Sequence, residues 1–162
     1  MPKGHRKIPG LDTNNHSVFK ITLHCIICVK YRRRVLTDPL AEYIFDIFRR
    51  IGANHNITLL EANHDIDHIH VLMKIHPNTH LSTFFNAFKS ASSRLVKRDF
   101  PEVTTKLWKK YFWSSSYCLL SVGGASLEAV ADYIETQGEQ PEKRPRAVRW
   151  DKGRKRGGAR AA

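Results

Sequence analysis

The sequence predicts an α+β fold of the ferredoxin-like kind, an antiparallel sheet of about four strands with helices on one face. Three observations point to it. Residues 17–30 alternate apolar and polar with a period of two, as does the run from His68 to Ile75, and this marks strands with one face in a core. Leu40, Ile44, Ile47, Phe48 and Ile51 recur at helical spacing, and so do Leu81, Phe84, Phe85, Phe88, Leu95 and Val96. The resulting order is strand, helix, strand, strand, helix, strand, helix, which a ferredoxin-like layer uses.

The elements follow in turn. After a basic start and the turn-prone Asp12-Thr13-Asn14-Asn15, one long strand places Phe19, Ile21, Leu23, Cys25, Ile27 and Val29 on its core face. Lys20, Thr22, His24 and Cys28 take the other face, with Ile26 an apolar intruder. Cys25 and Cys28 have the spacing of a redox or zinc knuckle, but an offset of three in a strand sends the thiols to opposite faces, so both read as packing residues. The strand runs into Lys30-Tyr31-Arg32-Arg33-Arg34, which suits a phosphate backbone with a stacked base and equally suits a solvated strand end.

Thr37-Asp38-Pro39 starts the first helix, with a side-chain cap and proline in the first turn, and Gly52 ends it. Residues 57–60 read as a strand leading through Asn63-His64-Asp65 into the strand of His68 and His70, antiparallel to it. Pro77 stops that strand. The helix that follows runs to the residues before Pro101 and carries Asn86, Lys89, Ser90, Ser93, Arg94 and Lys97 on its polar side. A basic patch at 106–110 lies beside Trp108, Tyr111, Phe112 and Trp113. Residues 114–122 read as the last strand, Gly123-Gly124 frees the backbone, and Ser126 caps a final helix to about Gln137.

At 162 residues the chain fits one domain, divided as a basic N-terminal extension (1–15), the folded domain (16–140) and a basic flexible tail (141–162). A hydrophobic share of 41% argues for a folded globule. Of the net charge of +12, residues 143–162 hold nine Lys and Arg against Asp151, a net of +8. Residues 1–10 hold +3, which leaves +1 for the body. Basic tails on a nearly neutral body favour a polyanionic partner with salt-sensitive, sequence-blind affinity. No apolar stretch is long enough to span a bilayer and the start lacks the apolar core of a signal peptide, so a cytoplasmic protein, nucleoid-associated when bound to DNA, is expected.

His68 and His70 stand on the same side of their strand, where two imidazoles can share a divalent metal with help from elsewhere. A bare His-x-His is more often a half-exposed strand. The company comes from the final helix, where Tyr133 and Gln137 are four apart and stack on one side. If that helix docks over the pair, a metal held by His68, His70 and Gln137 sits about one side-chain length from the Tyr133 oxygen, a phosphoryl-transfer site in outline. Which residue accepts the proton is not legible from the sequence, although Asp67, His64 and Glu61 are nearby.

Cys28-Val29-Lys30-Tyr31-Arg32, Asp67-His68-Ile69-His70-Val71-Leu72, Phe112-Trp113-Ser114-Ser115-Ser116-Tyr117 and Tyr133-Ile134-Glu135-Thr136-Gln137, in that order, resemble the single-tyrosine HUH transposases of the insertion-sequence 200/605 family, usually called TnpA. The resemblance spans residues 17–137. It implies a homodimer that binds imperfect hairpins in single-stranded DNA at transposon ends. It implies cleavage and rejoining through a 5′-phosphotyrosine, with Mg²⁺ or Mn²⁺ and single-stranded target DNA. By matching position His68 and His70 are the metal ligands, Gln137 the third and Tyr133 the nucleophile, on a helix able to complete the partner subunit's site. Gly123-Gly124 then reads as a hinge as well as a turn. Candidate DNA contacts are Lys30, Tyr31, Arg32, Arg33, Lys89, Arg94 and Lys97.

The chain departs from the family pattern in Asp65-Ile66-Asp67, where many members have a proline before the acid, and in its basic extension from Lys143. A replication or conjugation nickase with the same chemistry is the nearest alternative. A non-catalytic ferredoxin-like nucleic-acid-binding module is the next, although such a module wants exposed aromatics where this chain has His68 and His70.

Overall fold

A computed structural model of the chain describes residues 9–122. They form six strands and three helices: β1 (Asp12–Thr13), β2 (Val18–Phe19), β3 (Ile21–Cys28), a 3₁₀ turn (Lys30–Arg32), α1 (Asp38–Ala53), β4 (Thr58–His64), β5 (His68–Ile75), α2 (Leu81–Asp99), α3 (Pro101–Thr104) and β6 (Cys118–Ser121). The main sheet is antiparallel with order β4-β5-β3-β6, which together with α1 and α2 is the expected α+β ferredoxin-like arrangement. The final helix, Gly123-Gly124, Tyr133 and Gln137 lie outside the described residues.

Alternation decides which residues enter the core. Cys25, Ile27 and Val29 from β3 and its end join Ile69, Val71, Met73 and Ile75 from β5 against Leu40, Ile44, Ile47 and Phe48 of α1 and Phe84, Phe85 and Phe88 of α2. Phe48 meets Phe84 and Phe88 edge-on, at ring-centroid distances of 4.9 and 5.1 Å. The other face is not bare, since Ile26 and Cys28 are buried there beside His70 and His68 in the β3–β5 register.

Several elements differ from the sequence expectation. The long first strand is broken after Phe19, and its start folds back on β1 as a small hairpin. Thr37 caps α1 by backbone geometry only and makes no side-chain cap bond. The strand expected at residues 57–60 extends to His64, and the strand expected at 114–122 is confined to Cys118–Ser121. Residues 114–116 are instead held by Lys89, whose ammonium donates to the carbonyls of Ser114, Ser115 and Ser116 at 2.8, 3.1 and 3.1 Å. Burial pushes Lys89 down to about 8.

One irregularity shapes the site. The register of β4 on β5 shifts between Leu59 and Glu61, so Leu59 pairs with Met73 but Glu61 with Leu72. The extra residue, Leu60, is half exposed, and beyond it the phase of the strand reverses. Glu61 and Asn63 therefore share the face of His70 and Leu72, while Ala62 packs on the core and His64 turns to Asp38 of α1 at 2.9 Å.

Truncation of the aromatic cluster, Phe48→Ala, should cost about 3–5 kcal/mol, read from the midpoint of urea unfolding. Burial raises Cys25 and Cys28, the latter to about 12. Both thiols should therefore resist iodoacetamide in the native protein at pH 8 and react freely in guanidinium, with native rates lowered about a thousandfold or more; native labelling at the free-thiol rate would contradict the packing.

Candidate functional site

β5 begins at the histidine pair. Asp65 N–H donates to the carbonyl of His68 at 2.9 Å, closing the tight connection from β4. The carbonyls of Ile66 and Asp67 accept from Leu36 and Val29, each at 2.9 Å. The Asp65-Ile66-Asp67 segment is thus fixed by backbone bonds without the proline.

The side chains continue that order. The Nδ1–H of His68 donates to Asp67 Oδ1 at 2.7 Å, and Asp67 Oδ2 accepts from Arg32 Nε at 2.9 Å. Asp67 and His68 are buried, at 7% and 6% exposure. With Nδ1 so engaged, His68 directs Nε2 toward His70 Nε2, 2.9 Å away. His24, from the neighbouring β3, lies against His70 with ring centroids 5.5 Å apart. Burial, then the neighbouring His68 and His24, pushes His70 down to about 4, with Asp65 opposing, so its ring is neutral and keeps a lone pair at physiological pH.

The donor set fits a divalent cation. The Nε2 atoms of His68 and His70, 2.9 Å apart, could together hold one such ion. Among the described residues no group of three or more His, Cys, Asp and Glu side chains could hold a metal, so further ligands must come from elsewhere. The three acceptors named from sequence separate here. Asp67 is committed to Arg32 and His68, and His64 to Asp38. Glu61 borders an open depression with His24, Asn63, His70 and Leu72.

The larger concavity lies elsewhere. It is lined by Lys30, Tyr31, Lys89, Ser90, Ser93, Arg94 and Lys97 together with Trp108, Lys109 and Tyr111. Five of the seven residues expected to touch DNA are therefore brought together, although Lys89 has its ammonium turned to the Ser114–116 carbonyls. Arg32 and Arg33 do not line the groove, and Arg32 reaches Asp67 instead. Sequence reasoning did not place Trp108 and Tyr111 in the groove. Trp108 stacks on Tyr111 at 6.0 Å, meets Tyr31 edge-on at 4.9 Å and carries Lys109 Nζ 4.5 Å above its ring. Tyr111 is 58% exposed, an open aromatic face among cations, as single-stranded nucleic acid requires. The clue in the sequence was the interleaving of Lys and aromatics at 106–113.

Residues 17–137 match the family described as Transposase IS200 like. The ISDra2 transposase TnpA of Deinococcus radiodurans is 34% identical over 120 residues, covering 74% of this chain and 86% of that protein. The transposase for insertion sequence element IS200 of Salmonella typhimurium is 29% identical over 125 residues, covering 77% and 82%. A crystal structure of a candidate transposase from Deinococcus radiodurans R1 superposes with a TM-score of 0.71 at 31% identity, covering 78% of this chain and 97% of that one.

Proposed function

Since the chain belongs to the family of IS200-like transposases, we propose that it binds hairpins in single-stranded DNA at transposon ends and cuts and rejoins strands through a covalent 5′-phosphotyrosine. The observation that carries this reading is the convergence of two imidazole nitrogens at 2.9 Å, with His68 held by a buried carboxylate, in a chain of a DNA-transposing family.

His68 and His70, with Gln137 as third ligand, would hold Mg²⁺ or Mn²⁺. When bound, the ion supplies Lewis acidity at the scissile phosphate. The Tyr133 oxygen attacks phosphorus, the bond to the 3′ oxygen breaks, and the 3′-hydroxyl leaves while the 5′ side stays on Tyr133. The covalent ester conserves the free energy of the phosphodiester, so rejoining to another 3′-hydroxyl needs no nucleotide. Of Asp67, His64 and Glu61, Glu61 is the one whose side chain bonds neither α1 nor His68, and it would receive a proton or orient water beside His70. The groove of Lys30, Tyr31, Arg94, Lys97, Trp108 and Tyr111 holds the backbone and stacks unpaired bases. Arg33 adds charge at its margin. The enzyme acts as a homodimer in the cytoplasm, on the nucleoid when bound to DNA, with Gly123-Gly124 as the hinge of the tyrosine helix. Residues 16–140 form the catalytic domain between basic extensions at 1–15 and 141–162. No helix among the described residues is long and apolar enough to cross a membrane.

The test mixes the full chain with labelled single-stranded DNA from the flanks of its own gene, in Mn²⁺ or EDTA, and looks for a denaturant-resistant adduct. Wild type with Mn²⁺ should give one, and Tyr133→Phe none. His68→Ala should lose cleavage by a factor of 10² or more yet keep DNA binding; an adduct that survives Tyr133→Phe removes the nucleophile from its role. The groove makes a separate prediction. Replacing Lys30, Arg94 and Lys97 by Gln should flatten the dependence of log affinity on log salt by about 2, at about 0.7 per phosphate contact on a single strand. Trp108→Ala should weaken binding by about 1–3 kcal/mol at every salt concentration.

A further inference from the structure

Arg32 sits in a basic run that reads as a phosphate grip, but its side chain is turned inward. Its Nε–H donates to Asp67 Oδ2 at 2.9 Å, and the other oxygen of the same carboxylate accepts from His68 Nδ1 at 2.7 Å. Both carboxylate oxygens are thus used, in a pocket that leaves the Asp67 side chain 9% exposed and that of Arg32 31%. The backbone prepares this contact. Tyr31 and Arg32 both adopt left-handed φ values, 52° and 50°, which L side chains rarely take, and Arg32 N–H closes the turn on the Val29 carbonyl at 2.8 Å. The Val29 N–H in turn donates to the Asp67 carbonyl at 2.9 Å, so the aspartate is gripped by main chain and side chain from the same turn.

We propose that Arg32 is a positioning residue of the metal centre, acting through Asp67 to fix the tautomer and the direction of His68. A ligating imidazole must present its lone pair at one nitrogen, and the bond made by the other nitrogen selects which. Here Asp67 takes the Nδ1 proton, leaving Nε2 free to face His70 Nε2. A carboxylate bonded on one oxygen alone could rotate; the planar guanidinium on the second oxygen locks its plane, which a lysine ammonium, being a point charge, does less well. Arg32 thereby acts two hydrogen bonds from His68 Nδ1, and the neighbouring Lys30 and Tyr31 are left to border the groove.

The inference rests on the reading of His68 and His70 as metal ligands, and its test separates the two. On the full chain without DNA, Mn²⁺ affinity is measured by titration with detection of free Mn²⁺ by electron paramagnetic resonance. The His68 tautomer is read without metal from long-range proton–nitrogen NMR correlations of the imidazole. Wild type should show the Nδ1–H tautomer. Arg32→Met should weaken Mn²⁺ binding about 10–100-fold and mix the tautomers, Arg32→Lys should fall between, and DNA binding in EDTA should stay within about twofold. Wild-type His68 in the Nε2–H form overturns the proposal without any variant, as does Arg32→Met or Arg32→Lys with wild-type affinity and tautomer. Mn²⁺ affinity unchanged in His68→Ala overturns instead the assignment of the metal site itself.

Discussion

The pairing of β3 with β5 is the constraint on which the rest of the structure depends. Eight residues of each strand face one another in register, from Ile21 with Ile75 to Cys28 with His68. One face of this central pair carries Ile69, Val71 and Met73 into the core, each side chain contributing about 1.5–3 kcal/mol by leaving water. The other face carries His68 and His70, whose polar atoms gain nothing from burial unless partnered. A slip of one residue would exchange the two sets, so the apolar face holds the imidazoles in place even though it never touches a ligand.

Much of this was legible because it depends on neighbours in the chain. Period-two alternation assigned His68 and His70 to one face and Ile69, Val71 and Met73 to the other, and the structure has them so. The bounds of α1 followed from Pro39 and Gly52. What was not legible depends on distant partners. Arg32 and Asp67 are 35 residues apart, and nothing local distinguishes an inward arginine from the exposed Arg33 and Arg34 that follow it. Lys89 sits on the polar side of α2 as its spacing required, but its ammonium is spent on three carbonyls 25 to 27 residues away. The same tether goes with a last strand shorter than its apolar pattern, since the carbonyls of residues 114–116 turn to α2 while Ser114 N–H keeps one bond to the Cys28 carbonyl at the end of β3.

The groove and the histidine pair divide the work of the domain. The groove is assembled from three separate stretches, the turn at residues 30–31, one side of α2 and the aromatics at 108–111, so no single motif announces it. The pair is assembled from one strand and its immediate surroundings. The short left-handed turn belongs to both, with Tyr31 against Trp108 on one side and Arg32 against Asp67 on the other. Its two strained residues are the point at which nucleic-acid recognition and metal geometry share a backbone.

The bulge at Leu60 carries a genetic consequence. Because a strand counts residues in twos, the identity of the neighbours of His70 is set by the parity of β4 as much as by its letters. Leu60 is half exposed and many side chains would serve there. Flattening the bulge with the residue kept, so that Leu60 paired with Leu72, would by contrast bring Ala62 opposite His70 and send Glu61 to the position over the core now held by Ala62. A single-codon deletion of Leu60 would leave Leu59 and Glu61 paired with Met73 and Leu72 in unbroken register, so the neighbours of His70 survive loss of the bulged residue and are exposed instead to changes that move the pairing itself.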